Sequence, residues 1–361
     1  MPESLQMYIE LLAKRLESGE LNSSHAATRS SEEPGTIIVD ALCKTQWDQD
    51  IPFNLLCPKF DDKRAPCGCV ATAMAQIMKY YEWPTSGRGS VVYNVSGYGV
   101  LSRDFSQSQY NWAVMNTTGG LIRDAAARDA MATICYDAGT SVKMQYGPTG
   151  SSAYEENART SLIDYFKYKG STLDLRRRAC YESLEAWMYD VKGELDSRRP
   201  IFYTGVDTIY GGGHAFIIDG YDSNDFVHVN WGWGGYCDGF YNINTLDPKE
   251  VKQAYARSQT MIIGIIPDYT EQDKKPGQYR IYMEDVPECS GTYSVGNKFI
   301  LTYRNIFNMG FTSRVYTIGV GLYDADGQLL KEISTESSEI EVSYTQQFRP
   351  SYGFSYFDIA A

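Results

Sequence analysis

The apolar residues of this chain change period once, near residue 200, and that change restricts the folds open to it. Val70, Ala73, Ile77 and Tyr81, with Met74 and Met78, recur at helical spacing. So do Ala127, Met131, Ile134, Cys135 and Ala138, then Leu162 and Phe166, then Leu184, Trp187, Met188, Val191 and Leu195. Further on the period falls to two, and strands are predicted at 201–206, 214–219, 226–231, 239–243 and 260–266. A helical half followed by a β half is an α+β organisation, without alternating βα units.

Two other regions flank this block. Leu5, Ile9, Leu12 and Leu16 mark an amphipathic helix over residues 3–18, and the polar stretch 19–35 reads as an exposed linker open to proteolytic nicking. From residue 268 a polar start leads into β-like sequence, with a hairpin around Asp324–Gly327. The final GFSYFDIAA has no turn or polar tail, so this sandwich-like all-β domain reads as incomplete. The expected organisation is therefore 1–38, a linker segment with its helix; 39–267, the main domain; and 268–361, a β-rich domain.

A net charge of −12 argues against a nucleic-acid partner. No run of about 18 apolar residues could span a bilayer. The visible N-terminus lacks the basic start and apolar run of a signal peptide, which reads either as an intracellular protein or as a chain whose true start lies upstream. The eight cysteines are scattered, unlike those of a small disulfide scaffold. Cys135 lies on an apolar helix face and is expected to be a buried free thiol.

The chain has three histidines, and this narrows the chemistry. His25 lies in the polar linker. His214 follows three glycines, which let a substrate approach closely. A turn about Asp222 or Ser223 would fold two strands together and set His214 opposite Asn230 or Trp231. His228 shares a strand face with Asn230 but lacks the glycine-lined approach. Cys69 begins a helix just after Pro66 and Gly68, where free N–H groups and the positive end of the helix dipole favour thiolate over thiol. Cys67 lies before the helix and gains less. Cys69 precedes His214 by 145 residues, within the roughly 130–150 that separate nucleophile and base in papain-type enzymes. A cysteine nucleophile, a histidine base and an orienting asparagine form a set for acyl transfer. Three other readings compete. Both side chains could be structural. Cys67 and Cys69 could be a redox pair, but their spacing is not CxxC and no thioredoxin-like βαβ pattern surrounds them. They could be half of a zinc site, but no second close Cys/His pair exists.

The segments QWDQDIPFNLLCP (46–58), GCVATAMAQIMKYYEWP (68–84), MQYGPTGSSA (144–153), GGHAFIIDGYD (212–222) and FVHVNWGWGGYCDGFY (226–241) resemble the streptopain family of secreted bacterial cysteine peptidases, within the papain-like group. The resemblance covers about residues 39–267 and implies a papain-like fold. It implies Cys69 as nucleophile, His214 as general base and Gln49 as an oxyanion-hole donor beside the Cys69 N–H. Gln46 precedes Trp47 and sits too far from the PFN segment for that role. Asn230 and Trp231 match the family's Asn-Trp pair, and which of them orients the imidazole stays open at this level. Ser152 and Gly213 would contact substrate backbone. The resemblance implies protein or peptide substrates and no metal or organic cofactor. It also implies a secreted or cell-surface bacterial zymogen inhibited by its own pro-segment, of which residues 1–38 would be the last part. Two features depart from the family pattern: Cys67 is an extra thiol, and NTLDPKEVKQAYARSQ (244–259) replaces a glycine-rich loop that borders the cleft in relatives. Two rival classes are another Cys–His acyl transferase, such as a transglutaminase or amidase, and a non-catalytic binding or adhesion protein.

Activation cleavage is expected in the linker between His25 and Asp40. N-terminal sequencing of the active form should find its start there, and an active form beginning at Met1 would overturn this.

Overall fold

A computed structural model describes residues 35–270, apart from 116–117, 119–123 and 249–250, and then the backbone of the strands at 281–283, 288–291, 299–308, 314–323, 329–340 and 352–357. The expected helix at 3–18, the linker and His25 lie outside the described residues. The chain divides into two compact units, residues 1–275 and 276–361.

Four helices form where the apolar period is 3.6. They are α1 (Cys69–Tyr81), α2 (Ala125–Ser141), α3 (Glu155–Asp164) and α4 (Leu184–Asp196). Asp124 caps α2 and Ser183 caps α4, each accepting a first-turn N–H. Helix α1 is different. Every residue from Val70 to Met78 is buried, and its N-cap is Gly68, which offers no side-chain acceptor. Gly68 has φ +93°, and a Cβ there would sit 2.6 Å from Met144 Cε, so the position requires glycine. The first-turn N–H groups of α1 are thus left unsatisfied by a cap, and no acidic residue shares that turn.

The strands of the first unit are β1 (Ile37–Val39), β2 (Lys59–Phe60), β3 (Lys63–Arg64), β4 (Ser90–Val95), β5 (Gly99–Asp104), β6 (Asp174–Arg177), β7 (Ile201–Val206), β8 (Gly213–Asp222), β9 (Phe226–Asn230), β10 (Gly239–Asn242) and β11 (Arg257–Ile263). A seven-stranded antiparallel sheet has the order β10-β9-β8-β7-β11-β6, with β1 also paired to β8. Helix α4 buries Trp187, Val191 and Leu195 in a core with Ile201, Phe216, Ile218 and Val229 from the sheet. Helix α1 packs on α2 and on β8. This is the α+β architecture expected from the change of period.

Three elements escape the periodicity. Strand β6 is charged because it is the sheet's edge. The β4–β5 hairpin has an open face, with Val92 and Val100 about 67% and 73% exposed. Strand β1 is only three residues long. The last predicted strand, 260–266, sits at 257–263 and pairs with both β6 and β7. Cys135 is buried and free, as its position on the apolar face predicts. Among the described residues no helix is long and apolar enough to cross a membrane.

In the second unit, β14 (Phe299–Asn308) pairs antiparallel with β12 (Ile281–Met283) and β13 (Glu288–Gly291), and also with β17 (Tyr352–Phe357). Strands β15 (Arg314–Tyr323) and β16 (Leu329–Ile340) form the expected antiparallel pair; the turn between them lies outside the described residues.

The hairpin is held to α2 by one buried carboxylate. Asp137, fully buried, accepts from Arg103 Nε at 2.6 Å and from Tyr110 OH at 2.8 Å. Asp137→Ala should cost about 3 kcal/mol, because it strands a largely desolvated guanidinium, whereas Tyr110→Phe should cost about 1 kcal/mol. Urea unfolding followed by tryptophan fluorescence measures both in the first unit, which holds all six tryptophans.

Candidate active site

The N-terminus of α1 meets strand β8. The backbone N–H groups of Ala215, Val70 and Cys69 itself favour the thiolate form of Cys69. His214, the residue before Ala215, is therefore brought beside the helix that carries Cys69. An open cleft is lined by Gln49, Cys69, Gly213, His214, Trp233 and Tyr255, and by the loop Thr149–Ser151. Gln49 is anchored there by its carbonyl, which accepts the Cys67 N–H at 2.9 Å.

The imidazole of His214 is buried, and its Nε2 bonds the Trp231 carbonyl at 2.9 Å. A carbonyl only accepts, so Nε2 carries the proton and Nδ1 holds the free lone pair. Aromatic rings enclose the imidazole. Trp233 stacks on it at 5.0 Å, and Tyr255 lies at 5.3 Å. Trp231 lies beside both rings, 6.3 Å from the imidazole and 5.3 Å from Trp233, nearly parallel to each. Gly232, at φ +71°, makes the turn that sets both indoles near the ring.

Electrostatics differ from the sequence expectation at Cys69. Burial pushes its thiol above the ordinary range and outweighs the three N–H groups that pull it down. Burial likewise pushes His214 down to about 4, against the support of the Trp231 carbonyl. The helix-end donors become decisive once a proton passes from Cys69 to His214, because the resulting charges then stabilise each other.

Several predicted residues take other places. The strand register pairs Ile218 with Val229 and Ile217 with Asn230. Strand β9 ends at Asn230, which stands opposite Ile217 and not opposite His214; the turn lies slightly later than expected, and a bulge intervenes near Asp219. Asn230 does not reach the imidazole. Its amide is taken up by Gln76, the Thr45 carbonyl and the Gly232 N–H. Trp231 contributes its carbonyl to His214, and its indole also lies near the imidazole, 6.3 Å between ring centres. Ser152 is exposed, outside the cleft lining, with its backbone N–H and C=O both paired to Gln145, so its backbone is not available to a substrate. Ser151 lines the cleft instead, with its hydroxyl donated to the Pro66 carbonyl. Gly213 lines the cleft, and nothing lies within 4 Å of where a Cβ would be. Gln46 is exposed and lies against Gly235. Cys67 is buried, with Sγ near Thr72 Oγ1 at 3.3 Å. Trp233 and Tyr255 were missed. The glycine between two tryptophans was a signal for the first; nothing in the pattern around Tyr255 pointed to the cleft.

The Peptidase C10 family model matches residues 47–241. The chain belongs to this family. Streptopain of Streptococcus pyogenes is 31% identical over 291 residues, covering 73% of this chain and 71% of that protein. The thiol protease/hemagglutinin PrtT of Porphyromonas gingivalis is 35% identical over 239 residues, 62% of this chain but only 26% of that protein. The active interpain A cysteine protease of Prevotella intermedia superposes with a TM-score of 0.59 at 36% identity, covering 63% of this chain and 95% of that one. A prointerpain A fragment gives 0.57 at 31% identity, covering 73% and 84%. The fold of this C10 peptidase is thus papain-like, and its activity is that of a cysteine peptidase.

His228, the competing histidine, is engaged elsewhere. Its Nδ1 bonds the fully buried Asp219 at 2.6 Å, and Asp219 also accepts the Cys43 N–H at 2.7 Å. Burial opposes the imidazolium, but the Asp219 hydrogen bond and charge, with Asp238 and Asp40, outweigh it and raise the His228 pKa. A raised folded pKa gives stability that is complete below the unfolded value, about 6.5, and is lost as pH rises through the folded one. The urea midpoint of wild type should therefore exceed that of His228→Gln most at pH 5.5–6, and the gap should shrink toward pH 9.

Proposed function

We propose that this C10 peptidase is an endopeptidase that works through an acyl-enzyme on Cys69, with His214 Nδ1 as the base. The observation that carries the assignment is the hydrogen bond from His214 Nε2 to the Trp231 carbonyl, since it leaves Nδ1 as the one ring nitrogen able to take a proton. In the first step Nδ1 takes the Sγ proton and the thiolate attacks the peptide carbonyl carbon, sending the π electrons to oxygen. The Gln49 side-chain amide and the Cys69 N–H hold that oxyanion. The C–N bond then breaks, and the leaving amine takes the proton from Nδ1. Water attacks the thioester, Nδ1 accepts its proton, and the acid leaves as Sγ is released.

The stacked Trp233 and Tyr255 favour this in two ways. They exclude water, and their faces support the imidazolium formed on proton transfer. Trp231 acts through its backbone. Gly213 leaves the cleft open beside the nucleophile, and Ser151, in place of Ser152, borders it. Asn230 acts at a distance from the ring.

We read residues 1–38 as the end of a pro-segment, 39–267 as the peptidase domain and 268–361 as a β-rich domain. Zymogen synthesis and release outside a bacterial cell fit the secreted relatives' resemblance and the prointerpain neighbour. Substrates are then proteins or peptides met outside the cell.

Cys69→Ala should lower kcat for peptide hydrolysis by at least about 10⁴-fold, and Gln49→Ala by about 10²–10³-fold. An epoxide inhibitor of papain-like enzymes should label Cys69 stoichiometrically, with the label lost in His214→Ala. Label on Cys67, or slow equal label on several thiols, would overturn the assignment. Amine incorporation without peptide cleavage would favour a transglutaminase instead.

A further inference from the structure

Gln76 is a buried polar side chain that the mechanism does not use. It lies two turns along α1 from Cys69, is fully buried, and sits among apolar neighbours of the same helix. An unpartnered amide there would be costly. Its hydrogen bonds connect three separate stretches of chain. Oε1 accepts the backbone N–H of Trp47 at 3.2 Å. Nε2 donates to Asn230 Oδ1 at 3.1 Å, and Asn230 Nδ2 donates back to Oε1 at 3.2 Å.

Asn230 extends the connection. Its Nδ2 also donates to the Thr45 carbonyl at 2.6 Å, and its Oδ1 also accepts the Gly232 N–H at 3.1 Å. An asparagine amide offers two donors and two lone pairs, and all four are used. The paired amides thus tie together the helix that carries Cys69, the segment 45–47 that leads to Gln49, and the 230–232 turn whose Trp231 carbonyl holds His214 Nε2. These are three of the parts that must be placed to within a fraction of an ångström, and a displacement of about 1 Å can cost about 10²-fold in rate.

We propose that Gln76, acting through its amide pair with Asn230, is a positioning residue that sets the nucleophile helix, the oxyanion segment and the histidine anchor in one mutual geometry. The inference rests on the assignment of Cys69 and His214. Asn230 belongs to this clamp and acts on His214 only through the chain at Trp231. The pair touches neither substrate nor the reacting atoms, so its loss should act on turnover more than on substrate binding.

The test uses the activated full chain with Gln76→Glu and Gln76→Met. A carboxylate at 76 still accepts from Trp47 and Asn230 but cannot donate to Asn230 Oδ1; methionine keeps the shape and drops every bond. Expected is a fall in kcat of about 10-fold for Gln76→Glu and about 10²-fold for Gln76→Met, with KM within about threefold of wild type. The alkylation rate of Cys69 by iodoacetamide should fall in parallel. Folded variants with wild-type kcat, or with the loss confined to KM, would overturn the inference. Should neither variant fold, wild type still decides: the Gln76 and Asn230 side-chain NH₂ protons should exchange slowly with deuterium, and rapid exchange would overturn it. Hydrolysis surviving in Cys69→Ala would instead remove the assignment beneath, whatever Gln76 does.

Discussion

The site depends on the packing of α1 on β8, which brings Cys69 and His214 into one cleft. A helix N-terminus supplies uncommitted N–H groups, and an antiparallel strand supplies one more from outside the helix. Had Gly68 carried a side-chain cap, the first-turn donors would have been partly consumed. Had β8 met α1 further along, His214 would face the helix side instead of its end. The glycine N-cap, the absence of acidic residues in the turn and the burial of α1 along its length all serve this one approach.

Burial and charge pull against each other there. The same packing that positions the thiol and the imidazole raises one pKa and lowers the other. The counterweights are short-range and directional: N–H groups at the sulfur, a carbonyl at Nε2, and aromatic faces along the ring. Such groups are already oriented before substrate arrives and need no reorganisation during reaction. A preorganised site can thus hold its charges when they form.

Much of this was legible in residues. Cys69 at a helix start, His214 after a glycine run and Gln49 before the PFN segment are local patterns, and the cleft collects all three. The four helices and five strands of the main sheet follow from period. Less legible was what depends on register. A bulge near Asp219 and a slightly later turn set Asn230 opposite Ile217, and the asparagine expected beside the imidazole bonds Gln76 instead. Ser152 and Ser151 are adjacent in sequence, and only the bridge to Gln145 decides which one borders the cleft. Edge strand β6 and the exposed hairpin were hidden because a strand with an open face or a charged edge lacks a clean alternation.

The sequence by itself determined the class of chemistry and the α+β order, because reactive side-chain types and hydrophobic period are properties of local stretches. The tertiary structure decided which atoms do the orienting: a Trp231 carbonyl in place of an asparagine side chain, Trp233 as the stacking ring, and Tyr255 arriving from a loop far along the chain. The physical reason is that backbone carbonyls and ring stacking carry no residue signature. Any residue can present a carbonyl, and only the register of packed strands says which one meets the imidazole.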